Sequence, residues 1–404
     1  MLNFNNTEKA FAYKSNEQLK KARFLFGLMQ YNGLVKLGTK LTPIALKMRL
    51  PIKGLIRKTL FEQFVGGQSL QESSAVINML NNQHVDVILD YGVEGGEYDD
   101  PKYDHALEEF IKVIRFASTK KNAPFISVKL TGLGSTSLLE KLNLNSYDKF
   151  EFVSEQRMNQ KIQSLTNAEL NSWESLIKRT EKICQTADEV GVGIMIDAEE
   201  TWIQDPIDYI ALMMSKKFNK HKSVVYNTIQ FYRHDRIEFM HASHQESLDH
   251  SYTFAAKIVR GAYMEKERDR AEKLGYQSPI HINKQRVDED YNYAIKFILD
   301  QPNTSLIVAS HNEDSTYLAV ERSKQSDLSN NKAELHFSQL YGMSDHLTFN
   351  LADSGLKVSK YLPFGPIEEV VPYLMRRAQE NSSVAGQTNR ELSLIKEECK
   401  RRGI

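Results

Sequence analysis

The chain has 404 residues, 41% hydrophobic and 26% charged, which is enough apolar material for one large α/β barrel or two ordinary domains and too much chain for a peptide or a minimal binding module. Lysine plus arginine equals aspartate plus glutamate at 52 each, so no net field gathers polyanions and nucleic-acid binding is disfavoured. The two cysteines, Cys184 and Cys399, make no CxxC pair; they support neither a disulfide framework nor a zinc cluster and fit a reducing compartment.

In chain order, the first residues lack the basic-then-apolar form of a secretion signal, and no stretch of about 18 uncharged apolar residues follows. The sequence therefore predicts a protein neither secreted nor membrane-spanning. Residues 1–80 read as an N-terminal helical segment whose pattern breaks at Gly66-Gly67. Between Glu17 and Glu62 every charge is basic, from Lys20 to Lys58, so the segment is a basic, amphipathic one.

From Val85 onward short β-branched or apolar runs alternate with helical patterns, the signature of repeated βα units. The runs are Val85–Asp90, Phe125–Leu130, Gly193–Asp197, Val224–Tyr232, Ala256–Val259, Leu306–Ser310, Glu334–Gln339 and Val358–Pro363. Helical patterns such as Tyr103–Ser118, Ala168–Val190, Asp288–Leu299 and Ile367–Glu380 are long enough for crossovers. The reading is an α/β fold, a (βα)8 barrel of the TIM type over residues 81–404, with a helical insertion at about 135–166.

In such barrels chemistry gathers at the C-terminal ends of the strands. There the sequence offers Lys129, Asp197, Gln230, Arg260, Tyr263, His311, Asn312, Gln339 and Leu340. Charged and amide groups at the end of strand after strand suggest a polar pocket. After the last strand, Gly365-Pro366 starts a helix whose first turn carries Glu368 and Glu369. Tyr373, Arg376, Arg377 and Glu380 then follow at helical spacing. Paired arginines under a tyrosine make a clamp for a small carboxylate; the same spacing also makes a solvated Arg–Glu face. His241, His244 and His250 lie in a polar helical stretch without a carboxylate pattern, so no metal site is read there. No GxGxxG or GxxxxGK[ST] occurs, which removes a Rossmann or P-loop nucleotide site.

Six short motifs in order carry a resemblance. They are Val128-Lys-Leu130, Asp197-Ala-Glu-Glu200, Lys257-Ile-Val-Arg-Gly-Ala-Tyr263, Ala309-Ser-His-Asn312, Gln339-Leu-Tyr-Gly-Met343, and the run from Tyr361 to Asn381 that contains Tyr373-Leu-Met-Arg-Arg377. Over Phe61 to Arg390 the chain resembles the proline dehydrogenase family, in its monofunctional, short eukaryote-like branch. The resemblance implies a distorted (βα)8 barrel that holds noncovalent FAD and oxidises L-proline to Δ1-pyrroline-5-carboxylate, with electrons passed to a membrane quinone.

Residue by residue, it implies that Arg376, Arg377 and Lys129 pair with the substrate carboxylate, with Asp197 beside them. Tyr263, Tyr373 and Leu340 would pack on the pyrrolidine ring. Gln230, Lys257, Val259, Arg260, Gly261, His311, Asn312, Gln339 and Glu380 would hold the flavin, and Glu94 would pair with Arg376 as a gate. Lys257 stands where bifunctional bacterial members have arginine. Thr348 stands where they have a tyrosine on the ring, which predicts a roomier pocket with a hydroxyl and a hydroxyproline-oxidising alternative.

A Schiff-base aldolase with Lys129 as nucleophile is the other enzyme reading. A membrane adaptor built on the basic helices is the nonenzymatic one. The basic segment predicts peripheral contact with an anionic membrane: the cytoplasmic face of a cell membrane, or alternatively the matrix side of the mitochondrial inner membrane.

Overall fold

In the computed structural model the eight apolar runs form a closed barrel in chain order: β1 (Asp86–Tyr91), β2 (Phe125–Val128), β3 (Gly193–Ile196), β4 (Val225–Gln230), β5 (Phe254–Val259), β6 (Thr304–Ala309), β7 (Glu334–Leu340) and β8 (Val358–Phe364). The pairings are parallel, as strands joined by helical crossovers must be. Each expected run lies within two residues of an observed strand at either end. The structure describes residues 2–404 except 49–50, 93–96, 98–99, 145–150, 327–332 and 384, and the backbone alone at 43, 44, 46, 381–383 and 385–388. No helix among the described residues is long and apolar enough to cross a membrane.

The chain divides into two compact units: Met1–Gly92 with Lys121–Ala123 and Phe337–Ile404, and Val93–Lys120 with Pro124–His336. The first includes the helices α1 (Thr7–Phe11), α2 (Asn16–Met29), α3 (Asn32–Lys47), α4 (Asp345–Asp353), α5 (Ile367–Ser383) and α6 (Ala385–Arg401). Ser15 and Gln18 close a reciprocal capping box that starts α2. Leu19, Ala22, Phe26 and Met29 then recur three and four residues apart as one buried stripe. The stripe shares an apolar core with Phe64, with Val370, Val371 and Leu374 of α5, and with Leu392, Ile395 and Cys399 of α6.

Gly66 and Gly67 do more than end a helical pattern. Gly66 N donates to Pro363 O at 2.8 Å, Gly365 N donates to Gly67 O at 3.0 Å, and a Cβ on Gly66 would meet Leu362 at 2.9 Å. The glycines let this segment lie directly against β8.

The second unit carries β2–β6 and their crossover helices. The longest, Asn167–Val190, starts on a Thr166–Glu169 capping box and ends on left-handed Gly191. The insertion read at 135–166 contributes the short helices Thr136–Leu142 and Glu155–Ile162. On the helix Arg236–Asp249 the histidines have packing partners: His241 stacks on Phe297 with ring centroids 4.4 Å apart, and His244 meets Phe254 and Phe297 edge on.

Candidate active site

Strand register builds the first cluster, which lies within the second unit. Val128 is level with Ile196, Ile196 with Asn227, and Asn227 with Ala256. One residue further along, the strands therefore bring Lys129, Asp197, Thr228 and Lys257 to one layer. Asp197, 8% exposed, pairs with Lys257 through Oδ1 and with Lys129 through Oδ2 at 3.6 Å. Burial alone would push its carboxyl up, but the Lys257 and Lys129 ammonium groups outweigh it and hold the carboxyl down at about 2. Two cations around one carboxylate leave a positive cluster at the strand ends, chemistry that suits an anionic group. The Thr228 hydroxyl, buried in the same layer, has no hydrogen-bond partner among the described residues.

Glu199, inside the quoted Asp197-Ala-Glu-Glu200 motif but given no role from sequence, braces this end of the barrel. Its carboxyl accepts from Thr131 N at 3.1 Å and from Thr131 Oγ1 at 2.5 Å, and its backbone O accepts from Gln230 Nε2 at 2.8 Å. The other side of the Gln230 amide accepts from Ala262 N at 3.2 Å. Burial pushes the Glu199 carboxyl up to about 7 against the Thr131 hydrogen bonds. The available signal was the acidic Asp197-Ala-Glu-Glu200 turn itself, which does not tell Glu199 from Glu200.

After β5, Arg260 donates to Asp288 at 2.7 Å, Ser310 at 2.6 Å and Ser315 at 2.9 Å, and lies over the Tyr291 ring at 4.3 Å. Three of its five N–H donors are thus engaged. Val259 O accepts from Phe231 N at 2.9 Å. Gly261 is required by its backbone whatever it binds: its φ is +136° and a Cβ would sit 2.4 Å from the Tyr232 ring. Tyr263 is 9% exposed with the Lys266 ammonium 5.5 Å from its ring centroid. After β6, Asn312 caps the helix Glu313–Gln325 by accepting from Ser315 N at 2.8 Å, and the neighbouring His311 is half-buried.

The first unit supplies the arginine cluster on α5. Arg377, 6% exposed, donates to Glu380 at 2.5 Å and lies 5.1 Å from the centroid of the Tyr373 ring. The Arg–Glu pair of the solvated-face reading is real, but its arginine is buried, which a solvated face does not explain. Arg376 is half-buried. The Tyr373 hydroxyl is buried with no hydrogen-bond partner among the described residues, and burial pushes its pKa up while both arginines pull it down.

In the same unit Leu340 packs on the edge of the apolar core and Gln339 accepts from Thr348 Oγ1 at 2.8 Å. The Thr348 hydroxyl, expected beside a substrate ring, thus has its proton engaged by Gln339. Glu94 lies outside the described residues. A buried ion network around Asp345 and Lys360 was missed; its signal was a lysine in the middle of apolar β8.

The proline dehydrogenase family model matches residues 74–390. Proline dehydrogenase 1, mitochondrial, of Dictyostelium discoideum is 32% identical over 426 aligned residues that cover 98% of this chain and 74% of the relative. The protein of the same name in Caenorhabditis elegans is 30% identical over 548 residues, 99% of this chain and 88% of the relative. Among solved structures, proline utilization A of Bdellovibrio bacteriovorus, inactivated by N-propargylglycine, superposes with a TM-score of 0.67 at 21% identity; the match covers 82% of this chain and 34% of that one, and it speaks for the fold. With a family match over most of its length and relatives of this identity along nearly all of it, this chain belongs to the proline dehydrogenase family and is an oxidoreductase of that family.

Proposed function

We propose that the chain oxidises L-proline to Δ1-pyrroline-5-carboxylate with FAD as cofactor and a quinone as final electron acceptor. The reaction removes two electrons and two protons across the ring C5–N bond. Family membership supports the substrate, and the buried Arg377 against the Tyr373 ring is the observation that carries the reading. A buried guanidinium against an aromatic face suits a substrate carboxylate, which it binds by paired hydrogen bonds. In this reading Arg376 and Arg377 bind the proline carboxylate, Tyr263, Tyr373 and Leu340 pack on the ring, and Lys129 adds positive charge.

The donor set suits FAD. Arg260 keeps two N–H donors beyond its bonds to Asp288, Ser310 and Ser315, the Gln230 amide keeps one, and the Thr228 hydroxyl is an orphan in a buried layer. Gln230, Lys257, Val259, Arg260, Gly261, His311, Asn312, Gln339 and Glu380 would hold the cofactor, which when bound supplies the electron sink that the side chains lack. Asp197 keeps Lys257 and Lys129 oriented. With Lys129 engaged by Asp197, this reading uses it as a cation for the substrate carboxylate and not as a Schiff-base nucleophile. With the Thr348 hydroxyl engaged by Gln339, proline is preferred over its 4-hydroxy derivative.

The test is product formation. With L-proline and a soluble quinone the protein should release the cyclic imine Δ1-pyrroline-5-carboxylate, and D-proline should give none. Turnover of hydroxyproline in preference to proline, or no imine from either, would overturn the reading.

The membrane is the proposed meeting place with quinone. Phe24, Leu28, Tyr31, Leu34, Leu37, Leu41, Met48 and Leu55 are all large, apolar and 39–67% exposed, in the same stretch as Lys36, Lys40 and Lys47. An exposed apolar row among basic residues is the composition of an interfacial helix on anionic lipid.

A further inference from the structure

The turn between β7 and α4, residues 340–344, begins with Leu340 and has an improbable backbone. Gly342 has φ +78°, and a Cβ there would come within 1.9 Å of Gln63 O. Ser344, which is not glycine, has φ +50° and is 1% exposed. Such a conformation persists only where the surroundings hold it.

The holding groups come from several parts of the first unit. Gln63 Nε2 donates to Gly342 O at 2.7 Å. Lys360 of β8, fully buried, donates to Met343 O at 2.5 Å. Glu391 of α6 accepts from Ser344 N at 2.9 Å. Lys360 is in turn ion-paired at 2.9 Å with Asp345, the first residue of α4.

The partners that complete Asp345 lie more than three hundred residues away, just after α1. The Tyr13 hydroxyl donates to Asp345 Oδ2 at 2.6 Å, and the Lys14 ammonium lies 3.6 Å from the same oxygen. The Tyr13 ring is tilted against Phe349 of α4 with centroids 4.6 Å apart. Lys9 pairs with Asp353 at 2.7 Å and Asn350 Nδ2 donates to Asn6 O at 3.3 Å, so α1 is pinned along α4. Two buried carboxyl groups, Asp345 and Glu391, thus face the Lys360 and Lys14 ammonium groups and the His346 ring, which lies 3.7 Å from Glu391, and one of these partners, Lys14, is supplied by the N-terminal segment. Without it Lys360 would be drawn toward Asp345 with no second cation to balance the pair, and its hold on Met343 O would weaken.

We propose that Tyr13 and Lys14 are positioning residues for the substrate pocket: through Asp345 and Lys360 they fix the turn that presents Leu340 to the substrate ring. The proposal rests on the proline-oxidising reading, in which Leu340 packs on that ring. A well-placed apolar wall discriminates one ring methylene by about 10- to 200-fold. A loosened wall should lose most of that discrimination and weaken binding more than turnover.

The test uses the full-length flavin-loaded protein with Tyr13→Phe, Lys14→Met, Lys14→Arg and, as a reference, Leu340→Ala. Steady-state kinetics are measured with L-proline and its six-membered-ring homologue L-pipecolate, and amide hydrogen exchange is followed in the peptide spanning 340–344. For Tyr13→Phe and Lys14→Met the expected result is a KM for proline raised about three- to tenfold, kcat changed less than about twofold, a proline-to-pipecolate ratio of kcat/KM reduced at least about threefold, and faster exchange in the turn. Lys14→Arg should restore the ratio. If Leu340→Ala collapses the ratio while Tyr13→Phe and Lys14→Met only lower Tm, the positioning role is wrong and the ring-wall reading stands. If Leu340→Ala itself leaves the ratio unchanged, the ring-wall reading fails and takes the proposal with it.

Discussion

In the proposed reading, Arg377 is the side chain on which substrate recognition turns. Its burial and its ring contact with Tyr373 leave a guanidinium suited to a small carboxylate. A charge-assisted hydrogen bond to the proline carboxylate contributes about 1.5–3 kcal/mol. At about 1.4 kcal/mol per decade, Arg377→Met should raise the KM for proline by roughly tenfold to a hundredfold while flavin stays bound. An unchanged KM would return the arginine to a structural ion pair.

Glu199 offers a test of a different kind. Its folded carboxyl is raised to about 7 from an ordinary 4.5, chiefly by burial. The raised value means that its stabilising contribution is full below pH 4.5 and is lost as pH climbs through about 7. Glu199→Gln removes that dependence, so the variant should gain Tm relative to the parent between pH 5 and pH 8. A gap between the two proteins that stays constant over this range would show that Glu199 is ionised throughout. The sequence displayed this residue within a quoted motif, yet nothing in a linear pattern tells which of two adjacent glutamates turns inward; burial decides it, and burial is a property of the fold.

At the scale of elements, the strands were legible because β1, β5, β6 and β8 are largely runs of β-branched or apolar residues, mostly buried on both faces, between amphipathic helices. The strand-end cations were legible for the same reason, since a lysine or arginine at the end of an apolar run is conspicuous. What was not legible is long-range: that α2 packs with α5 and α6, and that Tyr13 reaches Asp345, depend on contacts with no local signature. The sequence shows residues 1–80 only as a basic, amphipathic helical segment, whereas in the structure Leu19, Phe26 and Met29 belong to a core with the C-terminal helices. Phe26, 1% exposed and edge to face with Phe64 at 6.3 Å, should therefore behave as a core residue. Phe26→Ala is expected to destabilise the protein by about 3–5 kcal/mol in chemical denaturation, and a loss below about 1 kcal/mol would mean that α2 is a detachable appendage.

For the whole molecule, the barrel supplies rigid strand ends for chemistry, and the N-terminal segment adds an exposed apolar and basic surface. Association of that surface with lipid should be electrostatic as well as apolar and so weaken as the Debye length shrinks from about 30 Å at 0.01 M salt to about 3 Å at 1 M. Pelleting with anionic vesicles at low salt, reduced at high salt and in a Leu34→Ser, Leu37→Ser, Leu41→Ser variant, is the expected pattern; equal recovery in the supernatant with and without vesicles would contradict it.

The claim beneath all of these is that the strand-end groups hold a flavin that proline reduces, and the visible absorption spectrum of the purified protein tests it most directly. The protein should carry flavin bands that bleach on anaerobic addition of L-proline and return when a quinone is added. A protein that binds no flavin, or whose flavin bands are unmoved by L-proline, would contradict the account.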